Sequence, residues 1–417
     1  MGRRFIDSGI FWQPSMPESW RVTRLKRVLR KLVREREPND ELLVCSNSGE
    51  VKKRGDSKLG LVAESDEIYQ GVKKGDLLVH GMDTWHGAIA VSNYDGMCTP
   101  VVHVCDSSQN KKYIALYLRN MANQKVFKLI SNGVRQNTSD FRSWDKLASI
   151  PIPIPPIDEQ ERIVNYIEDK FSKIDLFIRE KEREIELLGE LKQRLILDAV
   201  ISGVSKASKL KDSGISWVGT IPENWEVKRL SQVAFEHFIS NKDVHHQNLL
   251  SLSYGNIVRK DINTTEGLLP SSFDTYQIVE AGNIILRLTD LQNDHRSLRV
   301  GLVKEEGIIT SAYVCLGIID AGVILPAYLY SLLHAYDLMK LFYSMGGGLR
   351  QSLNWQGMKR LDIIIPPVEE QRAIVDYIDL KSSMITSKVQ ALNDEIAKLK
   401  EYKLRMMADV VTGTVSV

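Results

Sequence analysis

Two loops of the sequence carry side chains that can hydrogen-bond to the edges of nucleic-acid bases. They read "HGMDTWHG" (80–87) and "RLTDLQNDHRS" (287–297), and each follows a β-rich run. Arginine, asparagine, glutamine and acidic side chains form such bonds in the grooves of DNA. The candidate base-contacting residues are Asp83, Trp85, His86, Arg287, Asp290, Gln292, Asn293, His295 and Arg296. Asp83 and Asp290 align with each other, which is more typical of residues that support a loop, and Trp85 fits equally well in a core.

A second short motif, G-x-R-Q, occurs twice. It reads "GVRQN" (133–137) and "GLRQS" (348–352). Its polar members are Arg135, Gln136, Arg350 and Gln351. The arginines suit contact with a DNA phosphate, but capping or pairing within the domain explains them equally well.

Metal binding is not predicted from the cysteines and histidines. Cys98 and Cys105, with His103 between them, lack the short C-x2-4-C pairing of zinc sites. Buried thiols in a strand-rich body are the better interpretation. The pair His245 and His246, and likewise His334, lie in unrelated contexts and indicate no site.

The elements that must position these residues are repeated. "DSGIFWQPSMPESWRVTRLKRV" (7–28) returns as "DSGISWVGTIPENWEVKRLSQV" (212–233), with 12 of 22 positions identical. "IPPIDEQERIVNYI" (154–167) returns as "IPPVEEQRAIVDYI" (365–378). The offsets of 205 and 211 residues indicate a tandem duplication, with a period too long for a solenoid repeat.

The Pro-Pro segments predict two long helices, from about Asp158 to Ser202 and from about Glu369 to Thr412. Proline is tolerated at a helix start, and the acidic residues that follow suit the positive end of the helix dipole. The helix-start motif comprises Pro155, Pro156, Glu159, Gln160, Pro366, Pro367, Glu370 and Gln371, and a partner-docking role is an additional hypothesis. The spacing of apolar residues in both copies forms a heptad seam over more than four heptads.

A helix with one apolar stripe needs a partner, and the other copy has matching length and register. We therefore expect antiparallel pairing along two sets of residues: Ile174, Ile178, Ile185 and Leu188, against Ile385, Val389, Ile396 and Leu399. The two heads would then lie at opposite ends of a shared rod.

Each head combines short β-rich runs with a helical piece, around 114–122 in the first head and 326–336 in the second. The predicted fold class is α+β, with two globular α/β domains alternating with two long helices that pair as an antiparallel coiled coil. The predicted segments are 1–155 (first head), 156–203 (first helix), 204–365 (second head) and 366–417 (second helix).

Charge is unevenly distributed between the heads. Residues 1–157 hold 24 Lys and Arg against 17 Asp and Glu, whereas residues 204–365 hold 16 of each. The densest basic run, 21–36, is interpreted either as the solvated face of a helix or as a phosphate-contacting surface.

Composition is that of an ordinary globular protein, with 43% hydrophobic and 26% charged residues in 417. The sequence has no apolar run of membrane-spanning length and its first residues lack the apolar core of a signal peptide. We therefore expect a cytoplasmic protein with no membrane contact.

The order of a "PESW" or "PENW" entry, a variable body, G-x-R-Q, "IPPxxEQ" and a long helix, all repeated, resembles the specificity subunit of a Type I restriction-modification enzyme. The resemblance covers essentially the whole chain. It implies two target recognition domains that each read one half of an interrupted sequence in double-stranded DNA. It also implies that the helices set the spacer and dock two modification (methyltransferase) subunits, which restriction (translocase and endonuclease) subunits join.

Catalysis is expected on those partner chains. The sequence has no [ND]-P-P-[FYW] motif, which holds the target adenine in amino-methyltransferases of this kind, and no GxxxxGK[ST] loop. S-adenosylmethionine, ATP and Mg are accordingly expected on the partners, with no cofactor or metal on this chain. The alternatives are a DNA-binding methyltransferase or nuclease with its own activity, or a structural coiled-coil adaptor.

Overall fold

The computed structural model describes residues 3–55, 68–131, 141–205, 209–242, 246–263, 272–291, 298–345 and 353–417. The chain forms two compact units. The first unit is Met1–Lys181 with Asn393–Val417, and the second unit is Glu182–Leu392. Each unit therefore contains one head, the first half of one long helix and the second half of the other. This division differs from the four consecutive segments of the sequence because packing between helices groups residues that are distant in sequence.

The first head consists of short strands with three helices near its end. The strands are β1 (Phe5–Ile10), β2 (Gln13–Pro17), β3 (Arg21–Arg24), β4 (Leu29–Lys31), β5 (Leu43–Cys45), β6 (Val51–Lys53), β7 (Gln70–Val72), β8 (Leu77–His80), β9 (Ile89–Val91), β10 (Gly96–Cys98), β11 (Val102–Ser107) and β12 (Pro151–Ile154). The helices are α1 (Lys111–Asn123), α2 (Val126–Ile130) and α3 (Trp144–Ala148). Asn110 caps α1, since its side chain accepts hydrogen bonds from the backbone of Lys112 and Tyr113.

The main sheet of the first head has the order β4-β11-β8-β9, and all its neighbours are antiparallel. Its strands β8 and β11 are buried, with Leu77, Leu78 and Val79 fully enclosed. The candidate loop 80–87 joins β8 to β9, so it leaves the sheet from a rigid strand.

The second head repeats this plan. Its strands are β13 (Leu210–Asp212), β14 (Thr220–Pro222), β15 (Glu226–Arg229), β16 (Ala234–Glu236), β17 (Ile239–Ser240), β18 (Leu250–Ser253), β19 (Asn256–Arg259), β20 (Gln277–Val279), β21 (Ile284–Leu286), β22 (Val300–Leu302), β23 (Gly307–Ile309), β24 (Val314–Ile318) and β25 (Asp362–Ile365). Its helices are α5 (Pro326–Leu338), α6 (Leu341–Met345) and α7 (Trp355–Met358). The sheet β16-β24-β21-β22 matches the main sheet of the first head.

The basic run 21–36 is not a helix. It forms β3, a short 3-10 turn at Leu25–Arg27, and β4. Strand β3 pairs with β12 and strand β4 pairs with β11, so partners distant in sequence override any local helical preference. The helical interpretation of this run was therefore wrong.

The two long helices are confirmed. They are α4 (Ile157–Ser202) and α8 (Val368–Val411). In the first unit Lys181 contacts Glu395, and Lys403 Nζ lies 2.5 Å from Asp175 Oδ1. In the second unit Lys388 Nζ lies 2.6 Å from Glu184 Oε1. Residue numbers rise along one helix as they fall along the other, so the pairing is antiparallel within each unit.

The predicted seam residues all lie on the less exposed side of their helices. Ile174, Ile178 and Ile396 are buried, and Ile185, Leu188, Ile385, Val389 and Leu399 are partly buried. No helix among the described residues is long and apolar enough to cross a membrane.

Candidate nucleic-acid interface

In the first head, Asp83 holds the candidate loop together. Its backbone N–H donates to His80 Nδ1 at 3.1 Å, and its carboxylate lies 3.3 Å from His80 Nδ1 and 3.8 Å from His86 Nδ1. Burial lowers the pKa of His80, although the Asp83 carboxylate opposes this shift. A neutral His80 ring can accept the Asp83 N–H, while His86 is exposed.

Trp85 is partly buried and faces a basic side chain. Lys128 Nζ, on α2, lies 5.5 Å from the centroid of the Trp85 ring. This contact links the candidate loop to the helix that precedes the first G-x-R-Q segment.

The residues that follow this segment also meet the loop. A Cβ at Gly81 would lie 2.9 Å from the carbonyl oxygen of Phe141 and from Cα of Arg142, so only glycine fits there. His103 Nε2 lies 2.8 Å from the same Phe141 oxygen. The first head therefore brings its candidate loop beside both flanks of the G-x-R-Q segment.

The second head makes an equivalent junction. Leu288 and Leu291 are buried and anchor the loop after β21, and Asp290 has a positive φ of 57°. The backbone N–H of Leu353, which follows the second G-x-R-Q segment, donates to the Leu288 carbonyl at 2.9 Å. Arg287 is half-buried at the start of the loop.

Eight of the candidate base or phosphate contacts lie outside the described residues. They are Arg135, Gln136, Gln292, Asn293, His295, Arg296, Arg350 and Gln351. Their roles stay predictions. The described candidates Asp83, Trp85, His86, Arg287 and Asp290 lie at these two junctions.

Sequence reasoning missed Arg299, which is fully buried in the second head. It immediately precedes β22, and its backbone N–H donates to Asp337 Oδ2 at 2.6 Å. The signal that could have identified it is an arginine inside the apolar run "SLRVGLV" (297–303), where the first head has Ala88.

The Glu and Gln of the Pro-Pro motif are used within their own units. Gln160 Nε2 donates to the Pro155 carbonyl at 2.9 Å and Gln160 Oε1 accepts from the Asn110 backbone N–H at 2.9 Å. Glu159 accepts from the Trp20 indole N–H at 3.1 Å, and Glu370 accepts from that of Trp225 at 2.9 Å.

Gln371, like Gln160, forms its hydrogen bonds within its own unit. The prolines of the motif differ in exposure. Pro155 and Pro366 are buried, whereas Pro156 and Pro367 are exposed. A docking role for the motif is thus open mainly to its exposed prolines and remains a prediction.

Basic surface is concentrated on the first head. Five exposed side chains there make no ion pair with any described residue: Arg21, Arg24, Lys26, Arg27 and Lys31. Their counterparts in the second head are Glu226, Arg229, Ser231, Gln232 and Glu236. Of these two described segments, that of the first head therefore presents a strongly cationic strand and turn to solvent, which suits contact with DNA phosphates.

Cysteine chemistry is not indicated. Cys45, Cys98, Cys105 and Cys315 are free and buried, and burial raises the pKa of each thiol to about 12. Within the described part of the chain, no group of three or more His, Cys, Asp or Glu side chains is placed to hold a metal ion.

A family model matches this chain. The model of the Type I restriction modification DNA specificity domain matches residues 73–187 and 222–398. The two matched stretches cover most of both heads and of both long helices.

Two relatives come from Methanocaldococcus jannaschii. A protein assigned as the specificity subunit of the type I restriction enzyme MjaX is 24% identical over 427 residues, covering 96% of this chain and 95% of that protein. The MjaVIII specificity subunit is 24% identical over 284 residues, covering 64% and 63%.

Solved structures share the fold. A chain from work on complex assembly and conformational transition of a type I R-M system has a TM-score of 0.70 at 14% identity, covering 96% of this chain and 99% of that one. The HsdS subunit from Thermoanaerobacter tengcongensis has a TM-score of 0.52 at 16% identity, covering 96% and 98%.

Proposed function

Because the chain belongs to the family of Type I restriction modification DNA specificity domains, we propose that each of its two heads recognises one half of an interrupted DNA target. The chain is a sequence-specific DNA-recognition subunit. The assignment of one half to each head is supported by a junction that both heads contain. In each head the loop that follows β8 or β21 lies beside the flanks of that head's own G-x-R-Q segment. The scaffold is shared while the loop side chains differ, which suits two unlike half-sites.

The long helices are proposed to set the spacer and to bind two modification (methyltransferase) subunits, which restriction subunits join. Apolar side chains on the second-unit helices support docking. Leu187 and Leu191 on α4 are each 47% exposed, and Leu380 and Met384 on α8 are 60% and 57% exposed.

These four side chains share one side of the helix pair. Leu187 and Leu191 follow Glu184 by three and seven residues, Met384 precedes Lys388 by four, and Leu380 precedes Met384 by four. Residues three, four or seven apart lie on the same helix face, and Glu184 contacts Lys388. The resulting surface, Leu187, Leu191, Leu380 and Met384, is here called the apolar helix face. It suits an amphipathic helix of a modification subunit.

Catalysis is proposed to reside on those partners. Methyl transfer from S-adenosylmethionine and ATP- and Mg-dependent translocation and cleavage would be theirs, while this chain supplies recognition without a catalytic step. We place the assembly in the cytoplasm, where its DNA substrate lies.

The test is to express the chain with its modification subunits and to sequence the methylated adenines in cellular DNA. We expect a single motif of two short parts separated by a fixed number of unspecified base pairs. Exchanging residues 1–150 for the first head of another family member should change one part only. A change in both parts, or an uninterrupted motif, would contradict the assignment of one half to each head.

A further inference from the structure

The buried Arg299 side chain binds the backbone of residues 287–290, where the candidate loop of the second head begins. Its Nη1 donates to the carbonyls of Arg287 at 3.1 Å and Thr289 at 2.8 Å, and its Nη2 donates to that of Asp290 at 3.2 Å. A guanidinium presents donors in a rigid fork, so three carbonyls bound to one fork are held in one arrangement.

The same side chain reaches the element that leads into the G-x-R-Q segment. Arg299 Nε donates to Tyr343 Oη at 3.1 Å, and its guanidinium carbon lies 5.1 Å from the centroid of the Tyr343 ring. Tyr343 lies on α6, just before residues 346–352. Arg299 therefore ties together the two regions that the second head brings to its candidate interface.

The first head closes the equivalent junction with other residues. Ala88 stands at the position of Arg299, and Lys128 stands at the position of Tyr343. There the cation is on the helix and the aromatic ring is on the loop, as Lys128 and Trp85. Each head thus has a cation–aromatic pair at the equivalent place in the fold, Lys128 with Trp85 in the first head and Arg299 with Tyr343 in the second.

Burying an arginine is costly unless its donors are paired, and apolar packing would be the cheaper way to fill this space. A buried guanidinium is explained if residues 287–290 must hold one conformation, including the positive φ of Asp290. The exposed parts of Arg287 and Asp290 would then be presented to DNA without an ordering cost on binding.

We propose that Arg299 is a positioning residue that fixes residues 287–290, at the start of the candidate loop of the second head, and so determines how sharply that head discriminates its half-site. This rests on the proposed function, in which each head reads one half.

The experiment uses the complex with its modification subunits. The probes are duplexes that carry the methylated target determined by sequencing, and duplexes with one base pair changed in either half. Affinity is measured for wild type, Arg299→Lys, Arg299→Met and Tyr343→Phe, with Lys128→Met as the matched variant in the first head. Thermal unfolding is recorded for every variant.

We expect Arg299→Lys and Arg299→Met to lower discrimination in one half by about tenfold, the effect of roughly one specific base contact, and to leave the other half unchanged. Tyr343→Phe removes a single hydroxyl and should lower discrimination in the same half by a smaller factor. Lys128→Met should act only on the opposite half.

A residue that merely stabilises the fold would lower affinity for all duplexes together and leave the ratios intact. That outcome, or full discrimination in both Arg299→Lys and Tyr343→Phe, would overturn the proposal even if Arg299→Met does not fold. If the wild-type complex itself showed no preference among the duplexes, the proposed function would fail instead.

Discussion

At the scale of single residues, buried polar side chains fix where the long helices begin. Gln371 is fully buried: its Oε1 accepts from the Leu325 backbone N–H at 2.8 Å. Its Nε2 donates to the carbonyls of Val323 at 2.9 Å and Pro366 at 2.8 Å. One side chain thus joins the start of α8 to the segment that enters α5, so the head and the helix cannot separate without exposing three backbone groups.

Replacing Gln371 by Met should therefore destabilise the protein. The change keeps the volume but leaves one N–H and two carbonyls buried without this partner, at a cost of about 2–4 kcal/mol. Urea denaturation followed by tryptophan fluorescence measures the loss. The neighbouring exposed Arg372→Met is the control and should change stability by less than about 0.5 kcal/mol. Equal effects of the two substitutions would show that the glutamine does not hold the helix start.

Residue-level function is only partly visible in sequence. Asp83 was suspected of supporting its loop, and the hydrogen bond from its backbone N–H to His80 Nδ1 fits that role. Arg299 was missed, since an arginine beside a short strand usually points to solvent. The apolar run around it hints at burial, but its partners, three loop carbonyls and a hydroxyl on α6, lie outside that run and are not specified by it.

At the scale of elements, the heptad spacing predicted the long helices because apolar residues repeated every seven positions place one stripe on a helix that pairs with another helix. The basic run 21–36 was harder. Its strands β3 and β4 are held by β12 and β11, more than 70 residues away in sequence. Helices form through local contacts, so the spacing of apolar residues predicts them. Short strands depend on partner strands that the local sequence does not specify.

The apolar helix face gives a prediction for partner binding. Leu187→Glu with Leu191→Glu should weaken binding of the purified modification subunit by more than about tenfold, because charge would replace apolar contact area. Binding is measured by titration calorimetry.

The control is Gln193→Glu, two residues on from Leu191 and therefore on a different face of α4. Both proteins should unfold at the same urea concentration, since the substituted side chains are exposed. Unchanged affinity in the double variant would remove the apolar helix face from the interface.

At the scale of the whole molecule, the proposal that the long helices set the spacer can be tested by lengthening them. A heptad inserted into both long helices, after Lys181 and after Leu392, preserves the seam and adds about 10 Å, close to three base-pair rises. We expect the spacer of the methylated motif to lengthen by about three base pairs. A four-residue insertion at the same places breaks the seam and should abolish methylation. An unchanged spacer with full activity would show that the helices do not measure the DNA.

The division of α8 between the units also has a consequence for synthesis of the chain. The second unit is continuous in sequence, but the first needs residues 393–417, which are synthesised after the whole of the second unit. Until then Tyr113 lacks the Val411 carbonyl and Gln13 lacks that of Thr412. At ordinary translation rates the interval after residue 181 is roughly 10–50 s. During that time the surface of the first head that α8 covers is open to solvent, so we expect chaperones to bind the nascent protein.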